Sequence, residues 1–473
     1  MHPQPDSDVL VDRPPAQFRD LSEIVKAYDI RGVAGQQLDA EVAGRLGAAF
    51  ARLLTEAGEA GDGIVVGRDM RISSPELAAA FAQGVTAQGV DVIDIGLAST
   101  DLLYFAAGSL NRPGAMITAS HNGAKYNGFK LCRAGAVPVS TELQQLRGIA
   151  EPGPLSVADV PGTLTRRDLL AEYGEYLTKL VDVSDIRPLK VVVDAGNGMG
   201  GYTAPSVLAG LPVELVQLYC ELDGTFPNHE ANPLEPANLV DLCERVSAEG
   251  ADLGLAFDGD ADRCFVVDER GEPVSASAIT ALVAVRELAR EPGASVIYNL
   301  ITSRAVPQIV TEHGGTPVRT RVGHSFIKKT MAETGAIFGG EHSAHYYFRD
   351  FWCADSGMLA ALHVLAALGE QDRPLSELMA DYGRYATSGE INSSVADPAG
   401  RMAEVKRGYQ DREGVELDEL DGLTVSLADG SWFNLRPSNT EPLLRLNVEA
   451  ADADAVAALR DEVLMTVRAT SGG

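Results

Sequence analysis

The sequence predicts an α/β protein of four domains, three related α/β units followed by a small α+β unit. Three stretches share one grammar: GIVVGRDMRISSPELAAAF (63–81), LKVVVDAGNGMGGYTAPSVL (189–208) and ASVIYNLITSRAVPQIV (294–310). Each runs from a Val/Ile-rich strand pattern through a polar loop into a helical pattern. They recur roughly a hundred residues apart, which is domain spacing, whereas solenoid repeats return after about 20–50 residues. From about residue 385 the pattern changes. GEINSSVAD, LDGLTVSLADGSWFNLRPSN and LLRLNVEA alternate like strands, and ADADAVAALRDEVLMTVRAT reads as a closing helix. Length adds a weaker argument: 473 residues at about 150 per domain favours three units, with two or four close behind.

Turn-rich segments place the divisions. EPGPLSVADVPGTLTRRD (151–168) precedes the helical LLAEYGEYLTKLV, and DERGEPVSAS (268–277) closes a strand. The expected domains are 9–165, 166–272, 273–384 and 385–473. The polar, Pro-containing N-terminal stretch has no apolar core for a signal peptide. The longest apolar run, MLAALHVLAAL (358–368), is too short to span a bilayer and predicts a buried helix with His363 as a packed core histidine.

Composition excludes several classes. Hydrophobic residues are 45% and charged residues 22%, which rules out wholesale disorder. The net charge of −28 argues against nucleic acid or an anionic membrane as partner. An anionic substrate therefore needs a local basic island. The five cysteines are scattered and form no C-x-x-C, so reduced thiols in a cytoplasmic protein are expected.

The strongest local signal is LGLAFDGDADRCFVVD (253–268), where a strand runs into Asp258, Asp260 and Asp262. Clustered carboxylates repel unless a cation neutralises them, and oxygen ligands suit a hard ion such as Mg²⁺. An EF-hand is rejected, because Arg263 stands where the loop needs glycine and CFVVD is strand-like. A phosphatase of the haloacid dehalogenase type, with Asp258 as nucleophile, is the alternative reading.

AMITASHNGAKYNGFKLC (115–132) presents Ser120-His121 in a glycine-bounded turn. Its hydroxyl is a candidate nucleophile or phosphate carrier, with Lys130 near in sequence to neutralise phosphate. Alone, the pair reads as a turn serine. GGEHSAHYYF (339–348) offers Glu341, Ser343 and His345. It supports zinc poorly, but a carboxylate beside a hydroxyl suits neighbouring sugar hydroxyls. Upstream, RTRVGHSFIKK (319–329) is basic and lacks the last glycine of a hydrolase elbow. NLRPSNTEP (434–442) sets Arg436, Ser438, Asn439 and Thr440 in a tight turn, a donor set matched to phosphate. Gly196, Gly198 and Gly201 spell a dinucleotide fingerprint, which explains none of these other motifs; a tight strand-to-helix turn accounts for them.

Taken together, TASHN-x-x-x-YNGFK, DGDADR, GEHSAH and RPSNTEP resemble, in order and over nearly the whole chain, the α-D-phosphohexomutases. KAYDIRG (26–32) and GRDMRISS (67–74) resemble that family too. His342 after the glutamate is similar to the phosphomannomutase/phosphoglucomutase branch. The resemblance implies four domains around a central cleft. It implies a phosphoserine at Ser120, and Mg²⁺ held by Asp258, Asp260, Asp262 and a phosphoserine oxygen. Glu341 and Ser343 become the sugar-reading pair, and Arg436, Ser438, Asn439 and Thr440 the clamp for the idle phosphate. His121, Lys130, Arg263, His324 and His345 line the reacting centre, and Tyr28 and Arg31 border the cleft.

The implied activity is reversible transfer between hexose 6-phosphate and hexose 1-phosphate, with hexose 1,6-bisphosphate as intermediate and activator, in a monomer or homodimer. A Mg²⁺-dependent sugar-phosphate phosphatase and a non-catalytic sugar-phosphate-binding protein are the alternatives. Two departures stand out. Gly123 replaces a common Pro, which implies a more mobile serine loop. Ile301 replaces a Lys found in some members, so a substrate contact there is missing or supplied from elsewhere, with Arg304 a candidate.

Overall fold

Four sheets follow one another along the chain. The computed structural model describes residues 18–469 apart from 27, 28, 184 and 438–442, with backbone alone at 324 and 325.

The first three sheets repeat one strand order. In the first it is Val92–Leu97, Ile64–Arg68, Gly114–Ile117, Tyr126–Cys132 and Ile30–Val33, with Leu164–Arg166 added at the outer edge. In the second it is Val213–Leu218, Leu189–Asp194, Leu253–Phe257, Cys264–Asp268 and Pro273–Val274. In the third it is Thr316–Thr320, Ser295–Asn299, Phe338–Gly340, Tyr346–Phe348 and Ala354–Asp355. Each time three parallel strands are followed by an antiparallel return. The central strands are buried throughout, as in Leu253–Phe257, which is why they read as unbroken apolar runs.

The returns carry the three loop motifs. Gly114–Ile117 turns back through the serine loop, Leu253–Phe257 through the aspartate loop and Phe338–Gly340 through the glutamate loop. The three motifs thus occupy the same hairpin in three copies of one unit, at the carboxyl ends of parallel strands, where open α/β sheets gather ligands.

The fourth sheet is antiparallel, in the order Ala386–Ser394, Leu443–Ala450, Trp432–Pro437, Leu423–Ser426 and Glu416–Asp418. Helices Pro398–Tyr409 and Ala453–Val467 pack on it. The closing helix is at its expected place; Pro398–Tyr409 is an addition to the sequence reading. One division shifts. Pro273–Val274 pairs with Val266 and Val267 of the second sheet, so the hairpin carries the chain past the expected boundary at 272/273. Likewise Leu164–Arg166 pairs with the first sheet, so Arg166 falls with the first unit.

A shared apolar core that includes Phe105, Leu177, Phe257, Phe338 and Leu365 joins the first three units, whereas the fourth keeps its own around Val425, Phe433, Leu446 and Val463. One buried carboxylate fastens the first three. Asp101, in the first turn of helix Thr100–Ser109, accepts from Ser99 Oγ, from Tyr173 Oη at 2.7 Å and from Ser356 Oγ at 2.7 Å. Tyr173 belongs to helix Leu170–Leu180, and Ser356 caps helix Gly357–Gly369. Beside this junction the Trp352 ring stacks on Tyr176, with centroids 5.2 Å apart, and fills the space over Gly108.

The fourth unit meets the third through polar contacts. Arg319 pairs with Asp418, Val322 N–H donates to Asp421 at 3.1 Å and Arg304 N–H to Glu449 at 3.0 Å. Helix Gly357–Gly369 contains the longest apolar run, and His363 is buried in it, stacked on Phe348. No helix among the described residues is long and apolar enough to cross a membrane.

Candidate active site

The serine, aspartate and glutamate loops converge. Ser120 is buried with a left-handed backbone, φ +51°, and its Oγ donates to Asp258 Oδ2 at 3.1 Å. His121 Nδ1 faces Ser120 Oγ at 3.2 Å. The aspartate loop joins the glutamate loop through a backbone bridge between Arg263 and His345.

Asp258, Asp260 and Asp262 are almost fully buried, and oxygens from the three lie within 4.8 Å of one another. Arg263 holds Asp258 Oδ2 through Nε at 2.9 Å and through a terminal nitrogen at 2.8 Å. Lys130 bridges Asp260 and Asp262 at 2.7 and 2.5 Å, and Thr100 Oγ1 donates to Asp260 at 2.5 Å. Three carboxylates thus face two cations, and Asp260 Oδ1 and Asp262 Oδ1 are buried without a hydrogen-bond partner. Unpaired buried carboxylate oxygens are costly. The all-oxygen donor set and its residual negative charge fit a hard divalent cation.

The titrations follow from the same charges. Burial, opposed by Arg263 and reinforced by Asp262 and Asp260, pushes Asp258 up to about 7. Burial works against the Lys130 charge, but Asp260 and Asp262 more than offset it and hold the ammonium well above its ordinary range. Burial, then Arg263 and Arg31, drive the His121 imidazole well below its usual value. His121 is therefore neutral and Lys130 charged at neutral pH.

In the third unit Glu341 is buried and accepts from Tyr347 Oη at 2.7 Å, Asn299 Nδ2 at 3.2 Å and Gly323 N–H at 3.2 Å. A carboxylate has about four acceptor positions, and three donors among the described residues fill all but one of them. Ser343 Oγ lies 3.1 Å from His345 Nδ1, and His345 Nε2 lies 3.6 Å from Asp262. Behind His345, buried Lys328 pairs with Asp355 at 2.8 Å and sits 4.2 Å over the Tyr104 ring.

Arg31 joins the site from the first strand, donating to Asn122 Oδ1 at 2.6 Å. In the fourth unit Arg436 donates to Glu390 at 3.0 Å and keeps its Nε buried without a partner. Arg445, directly opposite on the next strand, shares that glutamate at 3.2 Å. Two arginines on one carboxylate leave this spot with a net positive charge in an otherwise acidic chain. Tyr28, Ser438, Asn439 and Thr440 lie outside the described residues, as does the His324 side chain.

Several residues here carried no role in the sequence reading: Thr100, Asp355 and Arg445, Lys328 beyond its place in a basic stretch, and Arg71 beyond its place in GRDMRISS. Lys328 and Asp355 were legible only as charged residues of unknown depth. Arg304 is committed elsewhere, donating to the Gly430 carbonyl at 2.5 Å, and Ile301 is buried. The glycines of the dinucleotide-like run serve packing: a Cβ at Gly198 would lie 2.8 Å from the Gly259 carbonyl oxygen, and one at Gly201 2.1 Å from that of Cys220.

Four models of the phosphoglucomutase/phosphomannomutase family match in order. They are the alpha/beta/alpha domains I, II and III at residues 22–151, 171–271 and 276–385, and the C-terminal domain at 390–465. The chain is 40% identical over 454 residues to a phosphomannomutase of Escherichia coli strain K12, covering 93% of this chain and 98% of that one. It is 39% identical over 433 residues to a phosphomannomutase/phosphoglucomutase of Pseudomonas aeruginosa, covering 91% and 92%. A crystal structure of a phosphoglucomutase/phosphomannomutase family protein from Burkholderia thailandensis superposes with a TM-score of 0.85 at 35% identity, covering 95% of this chain and 98% of that one. With its repeated hairpins bringing a serine, three aspartates and a glutamate to one cleft, the chain belongs to the phosphoglucomutase/phosphomannomutase family.

Proposed function

We propose that this phosphohexomutase, an isomerase, interconverts mannose 6-phosphate with mannose 1-phosphate, and the corresponding glucose pair, through phosphoserine at Ser120. One observation carries the reading: Ser120 Oγ, 3.1 Å from Asp258, borders a carboxylate cluster short of positive charge. Asp258, Asp260 and Asp262 would hold Mg²⁺, with a phosphoserine oxygen completing the set. When bound, the ion supplies charge neutralisation for the phosphoryl oxygens.

The chain's own residues do the rest. The P–O bond to Ser120 breaks as a bond to the free sugar hydroxyl forms, and the hydroxyl proton ends on Ser120 Oγ, which His121 Nδ1 faces. Arg263 and Lys130, both cationic, steady the phosphoryl charge. The product of this half-reaction is hexose 1,6-bisphosphate, which turns over in the cleft and returns its other phosphoryl group to Ser120. The same bisphosphate, supplied in trace, would recharge an enzyme that has lost its phosphoryl group.

Glu341 and Ser343 would read O3 and O4, which leaves C2 uninspected and admits both hexoses. Arg436 with Arg445, extended by Ser438, Asn439 and Thr440, would clamp the idle phosphate at either end of the sugar. The polar seam between the third and fourth units permits the relative motion this requires.

The test is a coupled assay with Mg²⁺ and a trace of glucose 1,6-bisphosphate. It compares mannose 1-phosphate, glucose 1-phosphate and glucosamine 1-phosphate, with inorganic phosphate followed in parallel. Isomerisation of the first two, without phosphate release and abolished by Ser120→Ala, is expected. Steady phosphate release without isomerisation would move the nucleophile to Asp258, and full activity in Ser120→Ala would overturn the assignment.

A further inference from the structure

Arg71 is one of the largest fully buried side chains, with 1% of its surface exposed, and it touches neither the aspartate cluster nor the cleft's charged residues by hydrogen bond. Its guanidinium is spent on backbone. One terminal nitrogen donates to the carbonyls of Ser120 and Asn122 at 2.7 and 2.6 Å. The other donates to those of Gly123 and Tyr126 at 3.0 and 3.2 Å, and Nε donates to Asp69 Oδ2 at 3.0 Å. All five N–H donors are used. Asp69, itself fully buried, is fixed in turn by Ser74 Oγ at 2.5 Å and by the Arg71 N–H at 3.0 Å. One side chain therefore gathers four carbonyls from a single loop, the one that carries Ser120.

The Ser120 backbone is left-handed, a conformation that costs a residue with a side chain about 1 kcal/mol or more. It persists only where the surroundings impose it. The Ser120 carbonyl is held from two sides: by Arg71, and by the Gly259 backbone of the aspartate loop, where an added Cβ would lie 2.4 Å from that oxygen. Fixing the carbonyl fixes the backbone conformation of Ser120, which in turn restricts the rotamers open to Oγ. The second unit closes over the arrangement. Phe226 lies 5.1 Å over the guanidinium, and Gly224 approaches so closely that a Cβ there would stand 2.6 Å from Arg71 Cα.

We propose that Arg71 is a positioning residue for phosphoryl transfer, holding Ser120 in its strained backbone state through the loop carbonyls, and that Phe226 and Gly224 of the second unit lock it in place. The proposal rests on Ser120 as the phosphorylated residue. A lysine cannot substitute, because one ammonium with three donors cannot span four carbonyls and a carboxylate. The loop glycine at 123, which removes the stiffness a proline would give, increases the dependence on this clamp.

The experiment uses the full chain and glucose 1,6-bisphosphate labelled in its phosphoryl groups. Label must first appear on Ser120 of the parent, located by peptide mass spectrometry; its absence would defeat the phosphoserine reading and is thereby separated from failure of the clamp. Single-turnover transfer from labelled enzyme to mannose 1-phosphate is then timed. For Arg71→Lys the rate falls about 100-fold, the scale for a misplacement of about 1 Å, while the KM for mannose 1-phosphate and the Mg²⁺ affinity by calorimetry stay within about threefold. Phe226→Leu, which keeps Arg71 but removes the ring above it, falls about tenfold with the same unchanged KM, and keeps the idea testable should Arg71→Lys fail to fold. Transfer at the parent rate in either variant, or a rate loss matched by equal losses in KM and Mg²⁺ affinity, overturns the proposal.

Discussion

Asp101 accepts three hydroxyl hydrogen bonds at the place where the first three domains meet, and burial still raises its pKa from the ordinary 3.8 to about 6, the hydroxyls of Ser99, Tyr173 and Ser356 offsetting only part of the desolvation. The sign of the resulting pH dependence is fixed. Below about pH 3.8 folded and unfolded chains both hold the proton. Between there and about pH 6 the unfolded chain has released it and the folded chain has not, so raising the pH favours unfolding. The full difference, about two pH units at about 1.4 kcal/mol each, is about 3 kcal/mol, of which roughly half falls between pH 5 and pH 8. Asp101→Asn removes this dependence. Its carboxamide oxygen accepts from Tyr173 and Ser356, and its NH₂ donates to Ser99 Oγ, a hydroxyl with acceptor capacity beside the Leu102 N–H it already caps. The variant therefore gains about 1.5 kcal/mol on the parent as the pH rises from 5 to 8. Trp352 reports the junction directly, so the assay is urea unfolding followed by its fluorescence, with Trp432→Phe in both proteins to silence the other tryptophan. A difference between variant and parent that stays constant over that range would refute the reasoning.

Other consequences are open to equally direct checks. Lys130→Met leaves Asp260 and Asp262 facing each other; without metal the protein loses about 3 kcal/mol, and millimolar Mg²⁺ restores most of it. Thermal unfolding in chelator and in Mg²⁺ compares the two, and equal losses in both would remove the ion from the cluster. Gly259→Ala drives a methyl group into the Ser120 carbonyl, so the yield of phosphoserine from hexose 1,6-bisphosphate falls at least about 100-fold in a protein whose circular dichroism is unchanged; a normal yield would show that the loop can move aside. Lys328→Met strands the buried Asp355 carboxylate and costs about 3 kcal/mol, and adding Asp355→Asn recovers most of it in chemical denaturation, a coupling that independent sites would not show.

What the sequence made legible was chemistry carried by side chains that are close in number. The three aspartates follow a strand at alternate positions, so their convergence needed no long-range information, whereas Arg436, expected in a turn, stands in the strand Trp432–Pro437 and pairs across it with Arg445. Arg71 was not legible, because its partners are backbone carbonyls, which every residue possesses and no motif encodes. The Asp101 junction was hidden differently: Tyr173 and Ser356 are 72 and 255 positions away, and nothing in a buried aspartate's neighbours along the chain announces hydroxyls from two other domains. The division near residue 272 moved for a local reason. A turn such as Arg270-Gly271 marks a hairpin as readily as a domain end, and Pro273–Val274 returns to the sheet it had left. Arg304, a reasonable substitute cation by position, is drawn off by the Gly430 carbonyl.

The matching hairpins of the first three domains imply an ancestry as well as a layout. A lone unit of this kind offers one such loop, and one loop carries the serine, the three aspartates or the glutamate but not all of them. Two rounds of duplication, with the copies remaining fused, give each loop separate freedom to specialise while the strand order beneath it stays put. The catalyst then arises from division of labour among siblings, and its weakest inheritance is at the seams, where contacts such as those of Asp101 and Phe226 had to be invented after the copies already existed.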